Sequence, residues 1–466
     1  MARSFYPCDR NQLMLLPPSI DDWVDQGDLS HFIVDALEEM DLACFYARYG
    51  DGSGQQAYRP EVIIGVLLLA YSLGHRSSRV IESLCANDVR FRMLTCNRTP
   101  DHCTIARFRT RHREQLEHLF VEVLRLCGAA GLVKLGVVAI DGTKVKANAA
   151  MEANRNRKQL AEMVEKMFGE AEDTDAREDE LFGKQRRGDE LPDELQTPAS
   201  RRARLRAAKE QLARTDKAYR QADEKARAHI NKYDETLARQ EEKQAATGNK
   251  HAGHKIQPPP QTTLDEPKAN LTDPDSLLVK DRRGYLQGYN AQAAVTGDTQ
   301  VIVAADVVSR NNDMHELGSM ITTLCATLAA AQIPQAPSAI LADAGYWTPR
   351  SIEAAQEIVQ TLAPQSELLV AVPPKWQKLA QAPVEDSSPP GQDLLVRLEH
   401  RQRSPAGQSL YRIRAQSVEP VFGTLKSARK LDRFSQRGIE NVRAEWMLAC
   451  ATHNLLKLWK HHNSNN

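Results

Sequence analysis

The run from Leu135 to Ile140 is almost continuously apolar and ends at Asp141, and the run from Ser338 to Ala342 leads in the same way to Asp343. A half-buried strand alternates apolar and polar residues. A strand apolar at nearly every position must be covered on both faces, which is the condition of a central strand in an α/β sheet. The two aspartates then stand at the carboxyl edge of a sheet, where open α/β sheets bind their ligands. Read singly, each could cap a following turn or helix. Read together, they suggest a shared site.

Around these strands the pattern supplies the rest of a mixed sheet. Gly288 to Val295 and Gln300 to Val308 read as a hairpin joined by the turn Thr296-Gly297-Asp298. A helix from about Met314 to Ala331 precedes the second aspartate strand, a helix near Ser351 to Thr361 follows it, and a strand from Leu368 to Val372 is closed by Pro373 and Pro374. Further on, Ser417 can cap a helix that admits Pro420 only in its first turn. That start would put Glu419 at the positive end of the helix dipole and Lys426, seven residues on, on the same face. Strand with Asp, hairpin, helix, strand with Asp, helix, strand and helix with Glu resembles the element order of an RNase H-like (retroviral-integrase-like) mixed sheet flanked by helices.

At 466 residues the chain is long enough for two or three domains. Residues 1–130 read as an all-α N-terminal domain, with Pro60 opening the apolar run Val62 to Ala70 and an amphipathic stretch at Ser77 to Leu84. Lys plus Arg total 61 and Asp plus Glu total 61, so no overall charge draws the chain to nucleic acid or an anionic membrane. The neutrality is uneven. From His75 to Arg113, nine arginines face Glu82, Asp88 and Asp101, a local net charge of +6. Thr99-Pro100-Asp101 reads as the start of a helix leading through Arg107, Arg109, Arg111 and Arg113. Short helices around a turn are the layout of a helix-turn-helix reader of double-stranded DNA, although arginines on a surface helix can also be merely solvated.

Residues 131–150 are expected to begin the mixed-sheet domain and 271–466 to complete it, with 151–270 a charged helical insertion. Within the insertion, Glu170 to Glu194 carries eleven acids against four bases. Thr197-Pro198 then starts a long helix with Leu205, Leu212, Tyr219, Ala226 and Tyr233 at intervals of seven, which points to an antiparallel hairpin with a helix from Met151 to Phe168. His251 and His254 sit in a polar, Pro-rich exit and read as loop residues, not as metal ligands.

Three converging carboxylates, Asp141, Asp343 and Glu419, would repel one another, and uncompensated one would stay protonated at neutral pH. Divalent cations resolve that conflict. Hard oxygen ligands without His or Cys select Mg²⁺ or Mn²⁺, and two such ions activate an attacking oxygen and stabilise a leaving one in phosphodiester chemistry. Neither G-x-x-x-x-G-K-[ST] nor G-x-G-x-x-G occurs, so no nucleotide cofactor is expected. The eight cysteines form no C-x-x-C pair, which argues against a zinc ribbon or a disulfide framework and suits a reducing cytoplasm. The most apolar stretch, Val62 to Tyr71, is near half of the roughly 20 residues of a spanning helix, so no membrane association is expected.

Four blocks in order resemble the DDE transposases of bacterial insertion sequences: Ala139-Ile140-Asp141-Gly142-Thr143-Lys144-Val145-Lys146-Ala147-Asn148, Gly288-Tyr289-Asn290-Ala291-Gln292, Ala342-Asp343-Ala344-Gly345-Tyr346 and Val418-Glu419-Pro420-Val421-Phe422-Gly423. The helical N-terminal region and Ala451-Thr452-His453-Asn454-Leu455-Leu456-Lys457 extend the resemblance over nearly the whole chain. Tyr411, Arg414, Glu419 and Lys426 form Y-x2-R-x4-E-x6-K, one residue longer before the glutamate than the block common in that family. The resemblance implies that Asp141, Asp343 and Glu419 bind two Mg²⁺ ions, with Mn²⁺ as a substitute. It further implies that water attack exposes a 3′ hydroxyl at an element end and that this hydroxyl attacks target DNA. Phosphate contacts are implied for Arg414 and Lys426, with Lys144 and Lys146 as further candidates. Trp347 is a candidate for stacking on a displaced base or an ordinary core residue, and Asp313 and Glu316 are candidate extra acids or helix-start residues. The implied setting is the bacterial cytoplasm, nucleoid-associated, as a homodimer or higher oligomer on DNA. A metal-dependent nuclease of the same fold without strand transfer, and a non-catalytic DNA-binding protein, are the other two readings.

Overall fold

In the computed structural model the described residues are 19–47, 57–156, 268–281, 284–310, 312–374 and 393–465, with a few isolated positions between them. Contacts divide the chain into two units, Met1–Val145 with Asn290–Asn466, and Lys146–Tyr289.

In the first unit, seven helices precede the first strand: α1 Leu29–Glu38, α2 Ala43–Tyr46, α3 Pro60–Ser72, α4 Ser78–Asn87, α5 Val89–Leu94, α6 His102–Arg111 and α7 Arg113–Ala129. Pro60 occupies the first turn of α3, where a missing N–H costs nothing, and every residue from Ile63 to Ser72 is buried. A helix apolar on all sides has to be enclosed. Accordingly α3 packs against α1, α4, α5 and the long C-terminal helix α12, Ile439–Asn465. The start of α6 differs from expectation. Asp101, not Thr99, is its cap, with Oδ1 accepting from Thr104 N at 2.8 Å, and Pro100 lies outside the helix. A carboxylate is the stronger acceptor for the unpaired N–H groups of a first turn.

The sheet of this unit contains β1 Val137–Lys146, the second half of β5 Gly284–Thr296, β6 Ile302–Val308, β7 Ala339–Ala342 and β8 Glu367–Val370. Their order is β5-β1-β7-β8, with β6 paired to β5. Val137 to Ile140 run parallel to Ala339 to Ala342, which in turn run parallel to β8. β5 and β6 form the expected antiparallel hairpin, with a bulge at Ala294/Val295. Helices α8 Leu317–Ala330 and α9 Pro349–Leu362 pack on each other, α8 and α12 lie against β6, α10 Leu394–Arg403 lies against β8, and α11 Pro405–Gly423 touches β7. β1 does not end at Asp141 but continues to Lys146; only its parallel pairing with β7 stops at Ile140.

The largest correction concerns α11. It begins at Pro405, where Ser404 Oγ accepts from Gly407 N at 3.2 Å, and not at Ser417. Two Ser/Pro pairs compete for the role of helix start. Pro405 fits the first helical position, whereas Pro420 inside the helix leaves the carbonyl four residues earlier without its donor. That carbonyl, Gln416 O, is served instead by Gln300 Nε2 at 3.0 Å, so the helix runs on. It passes into a π turn at Thr424–Ala428.

The second unit holds β2 Asn154–Arg155 antiparallel to β3 Ala269–Asn270, and β4 Leu277–Asp281 antiparallel to the first half of β5. Buried polar side chains tie it together: Tyr289 OH donates to Asp273 Oδ1 at 2.7 Å, and Gln287 Nε2 to Ser276 Oγ at 2.7 Å. Met151, expected to open a helix, stands in a single 3₁₀ turn that leads into β2. The acidic run, the heptad positions Leu205, Leu212, Tyr219, Ala226 and Tyr233, and His251 and His254 lie outside the described residues.

Candidate active site

Ile140 and Ala342 are partners in the parallel register, so the next residues along the two strands, Asp141 and Asp343, emerge side by side. Asp343 accepts from Gly345 N at 2.7 Å, which makes it the cap of a short turn as well as a member of the pair. Arg414, from the middle of α11, bridges them: its Nη2 lies 2.7 Å from Asp141 Oδ2 and 3.5 Å from Asp343 Oδ2. Burial pushes the Asp141 carboxyl up to about 6, with Asp343 and Asp313 adding repulsion and Arg414 and the Gly142 N–H opposing it. Burial also works against the charge on Arg414, yet Asp141, Tyr411, Asp343 and Glu419 together hold its guanidinium above its usual range.

Beside this pair stands a second cation. Lys144 Nζ lies 3.7 Å from Asp313 Oδ1, and burial pushes its ammonium down while Asp313, Asp141 and Asp343 pull it back. Lys426 Nζ donates to Lys144 O at 2.7 Å, tying the π turn to β1. Gly142 is the place of closest approach. A Cβ there would stand 2.5 Å from Asp313 Oδ1 and 2.9 Å from Asn290 Oδ1.

Glu419 is placed otherwise than expected. With α11 starting at Pro405 it lies near the helix's C-terminal end, where the dipole is negative, and it is exposed. Among the described residues no three or more His, Cys, Asp or Glu side chains stand gathered as a metal site without an ion. Arg107 and Arg111 are exposed, the latter with its guanidinium 5.2 Å from the Tyr49 ring centre. Arg113 pairs with Glu440 at 2.9 Å. Arg109 is buried, donating to Tyr71 OH at 3.2 Å and Arg76 O at 2.8 Å, so it is withdrawn from any phosphate. Its position was readable: Ile105, Phe108 and Arg109 fall three and four apart, on one face of α6. Lys146 is exposed at the end of β1. Trp347 is buried, and Glu316 is buried against Arg310 Nη1 at 2.8 Å. Sequence reading overlooked what Asn290 and Gln292 do. Both donate to Asp313, and their alternation on β5, which puts them on one face, was the available signal.

Residues 388–459 match the family described as "Transposase DDE domain", and residues 18–111 match the family described as "Transposase domain (DUF772)". The first stretch includes α10, α11 and most of α12, and the second runs from before α1 to the end of α6. No curated protein and no solved structure matches the chain.

Proposed function

We propose, from the premise that this chain is a DDE-type transposase of an insertion-sequence family, that it binds the terminal inverted repeats of its element, cuts a phosphodiester bond at each end and joins the exposed 3′ hydroxyl to target DNA. The observation that carries this reading is the Asp141/Asp343 pair bridged by Arg414. An RNase H-like identity of the sheet is supported by the order β5-β1-β7-β8 with β6 antiparallel to β5 and β1 parallel to β7.

The donor chemistry fits a hard divalent cation. The pair offers carboxylate oxygens only; burial is the main cause that raises the Asp141 pKa to about 6, and Asp343 and Asp313 add repulsion that a cation would relieve. Asp141 and Asp343 would hold Mg²⁺ or Mn²⁺, with Glu419, just over a turn beyond Arg414, as the third acid of the proposal. Such ions supply activation of the attacking oxygen and neutralisation of the leaving one. The chain's own contribution is positioning. Arg414 keeps the two carboxylates together and presents a fork suited to a phosphate, and Lys144 and Lys426 add positive charge at the same edge. The exposed Arg107 and Arg111 of α6, with Lys146, are proposed to follow the DNA backbone, and residues 151–270 to form an accessory layer of the assembly on DNA, built from two or more copies of the chain. Among the described residues no helix is long and apolar enough to cross a membrane.

A nuclease without strand transfer would leave nicks alone. Incubating the full chain with DNA that carries the element's flanking repeats, a target plasmid and Mg²⁺ is expected to yield joined products; cleavage without joining would move the reading to that alternative.

A further inference from the structure

Asp313 has no task in the account so far, although it lies at the same edge as Asp141 and Asp343. Its Oδ1 accepts from Asn290 Nδ2 at 2.6 Å and from Gln292 Nε2 at 2.7 Å. Gln292 is fixed in its turn, accepting at Oε1 from Tyr346 OH and at its main-chain oxygen from Trp446 Nε1 at 3.0 Å. Two amide donors on one carboxylate oxygen set the direction of the other. The point where a Cβ on Gly345 would stand is 3.5 Å from Asp313 Oδ2 and 2.9 Å from Asp343 Oδ1, so oxygens of the two carboxylates border one point. An acid serving only to start α8 would cap it with its side chain. The cap position of α8 is Glu316, without a side-chain cap bond, and the carboxylate of Asp313 is turned to β5.

A second observation is independent of the acids. Asn290 is fully buried, its Nδ2 is committed to Asp313, and its Oδ1 has no hydrogen-bond partner among the described residues. That open acceptor lies 2.9 Å from the position of a Gly142 Cβ, the same point that Asp313 Oδ1 approaches to 2.5 Å. A buried acceptor without a donor is costly, and one set among carboxylates is satisfied by a cation, which at the same time relieves their repulsion. Lys144 brings a cation close, but at 3.7 Å it forms an ion pair without a hydrogen bond.

We propose that Asp313 is a further residue of the acidic centre, presenting its carboxylate, together with Asn290 Oδ1, to a hard divalent cation that would draw it together with Asp141 and Asp343, which without the ion are not gathered into a metal site. The proposal rests on the metal-dependent reading above and assigns to it a residue outside the DDE triad. It also gives a role to the Asn290-Ala291-Gln292 block, whose two amides aim Asp313 from one strand face.

The test is calorimetric titration of Mn²⁺ into the full chain without DNA, paired with thermal melts in the presence and absence of Mn²⁺. Asp313→Asn is expected to weaken Mn²⁺ binding by about tenfold or more, while its melting temperature without metal stays near that of the wild type. Asp313→Glu, which keeps the charge, is expected to retain most of the affinity. Should Asp313→Asn fail to fold, Asn290→Asp serves instead: it is expected to melt lower without metal and to gain more from Mn²⁺ than the wild type does. Wild-type affinity in Asp313→Asn, no added Mn²⁺ gain in Asn290→Asp, or no Mn²⁺ binding by the wild type would each overturn the proposal. Cleavage separates the two readings. If Asp313→Asn binds Mn²⁺ and cuts DNA as the wild type does, Asp313 is wrongly assigned and the transposase reading stands; if the wild type binds Mn²⁺ through Asp313 and never cuts, the reverse holds.

Discussion

Arg414 is the residue whose charge lets two partly buried aspartates stand together. Removing it as Arg414→Gln leaves only the Gly142 N–H to oppose burial and repulsion at Asp141, so its pKa, already about 6, rises further. Cation binding needs the ionised carboxylate. In the wild type, Mn²⁺ affinity should therefore fall as pH drops through about 6, and in Arg414→Gln the midpoint should move to higher pH, as read by calorimetry between pH 5 and 8. A midpoint that stays put or falls would contradict the bridging role. Gly142→Ala tests the same edge sterically. The added methyl would meet Asp313 Oδ1 at 2.5 Å and the Gln292 amide closer still, so overpacking should cost about 1–3 kcal/mol in urea unfolding and abolish cleavage. At this scale the sequence was legible where chemistry and position coincide. Asp141 and Asp343 announce themselves by ending apolar runs. Arg109 was misread because its charge was weighed and its place on the face of Ile105 and Phe108 was not, and for Asp313 the sequence left a candidate extra acid and a helix start undistinguished.

Among the elements, α12 joins the sheet to the N-terminal helices and contains a buried histidine. His453 Nε2 is 3.0 Å from Gln300 O, and burial depresses its pKa to about 4, with the nearby Lys457 and Arg429 contributing. Because the unfolded histidine titrates near 6.5, the unfolded state binds the extra proton between pH 6.5 and 4. The stabilisation from a neutral His453 is thus complete above about pH 6.5 and is lost as pH falls toward 4, up to about 3 kcal/mol. Asp141, with its raised pKa, acts in the opposite sense below pH 6, so the difference between wild type and His453→Gln isolates the histidine. Urea unfolding at pH 7 and pH 4.5 should show the wild type losing more than the variant; equal losses would rule this out. Element types were legible from periodicity: the hairpin, α8, α9, β7 and β8 appear within a few residues of expectation. The start of α11 was not. Nothing local to Ser417 and Pro420 reveals that Gln300, distant in sequence, supplies the donor that lets the helix pass through the proline.

For the whole molecule, the N-terminal helices belong to the same compact unit as the strands after Asn290. α7 and α3 pack along α12, Arg113 pairs with Glu440, and Arg76 lies 3.4 Å from the buried Glu445, which also accepts from Ser435 N and Gln436 N. Charge clustering from His75 to Arg113 showed a basic segment, and it could not show which arginines would be spent inside the fold. DNA binding is therefore best measured on the full chain. Changing the exposed Arg107 and Arg111 together to Ala should reduce the slope of log affinity against log salt by about 2 if both neutralise phosphates, and an unchanged slope would remove them from the interface.

The central claim is that the edge where Asp141 and Asp343 meet is where DNA is cut. Its most direct test is cleavage of end-bearing plasmid in Mg²⁺ by Asp141→Asn, Asp343→Asn and Glu419→Gln, each first shown to fold and to bind the ends. All three are expected to leave the DNA uncut. Near wild-type cutting by Asp141→Asn or Asp343→Asn would contradict the account, and cutting by Glu419→Gln would remove that glutamate from the site.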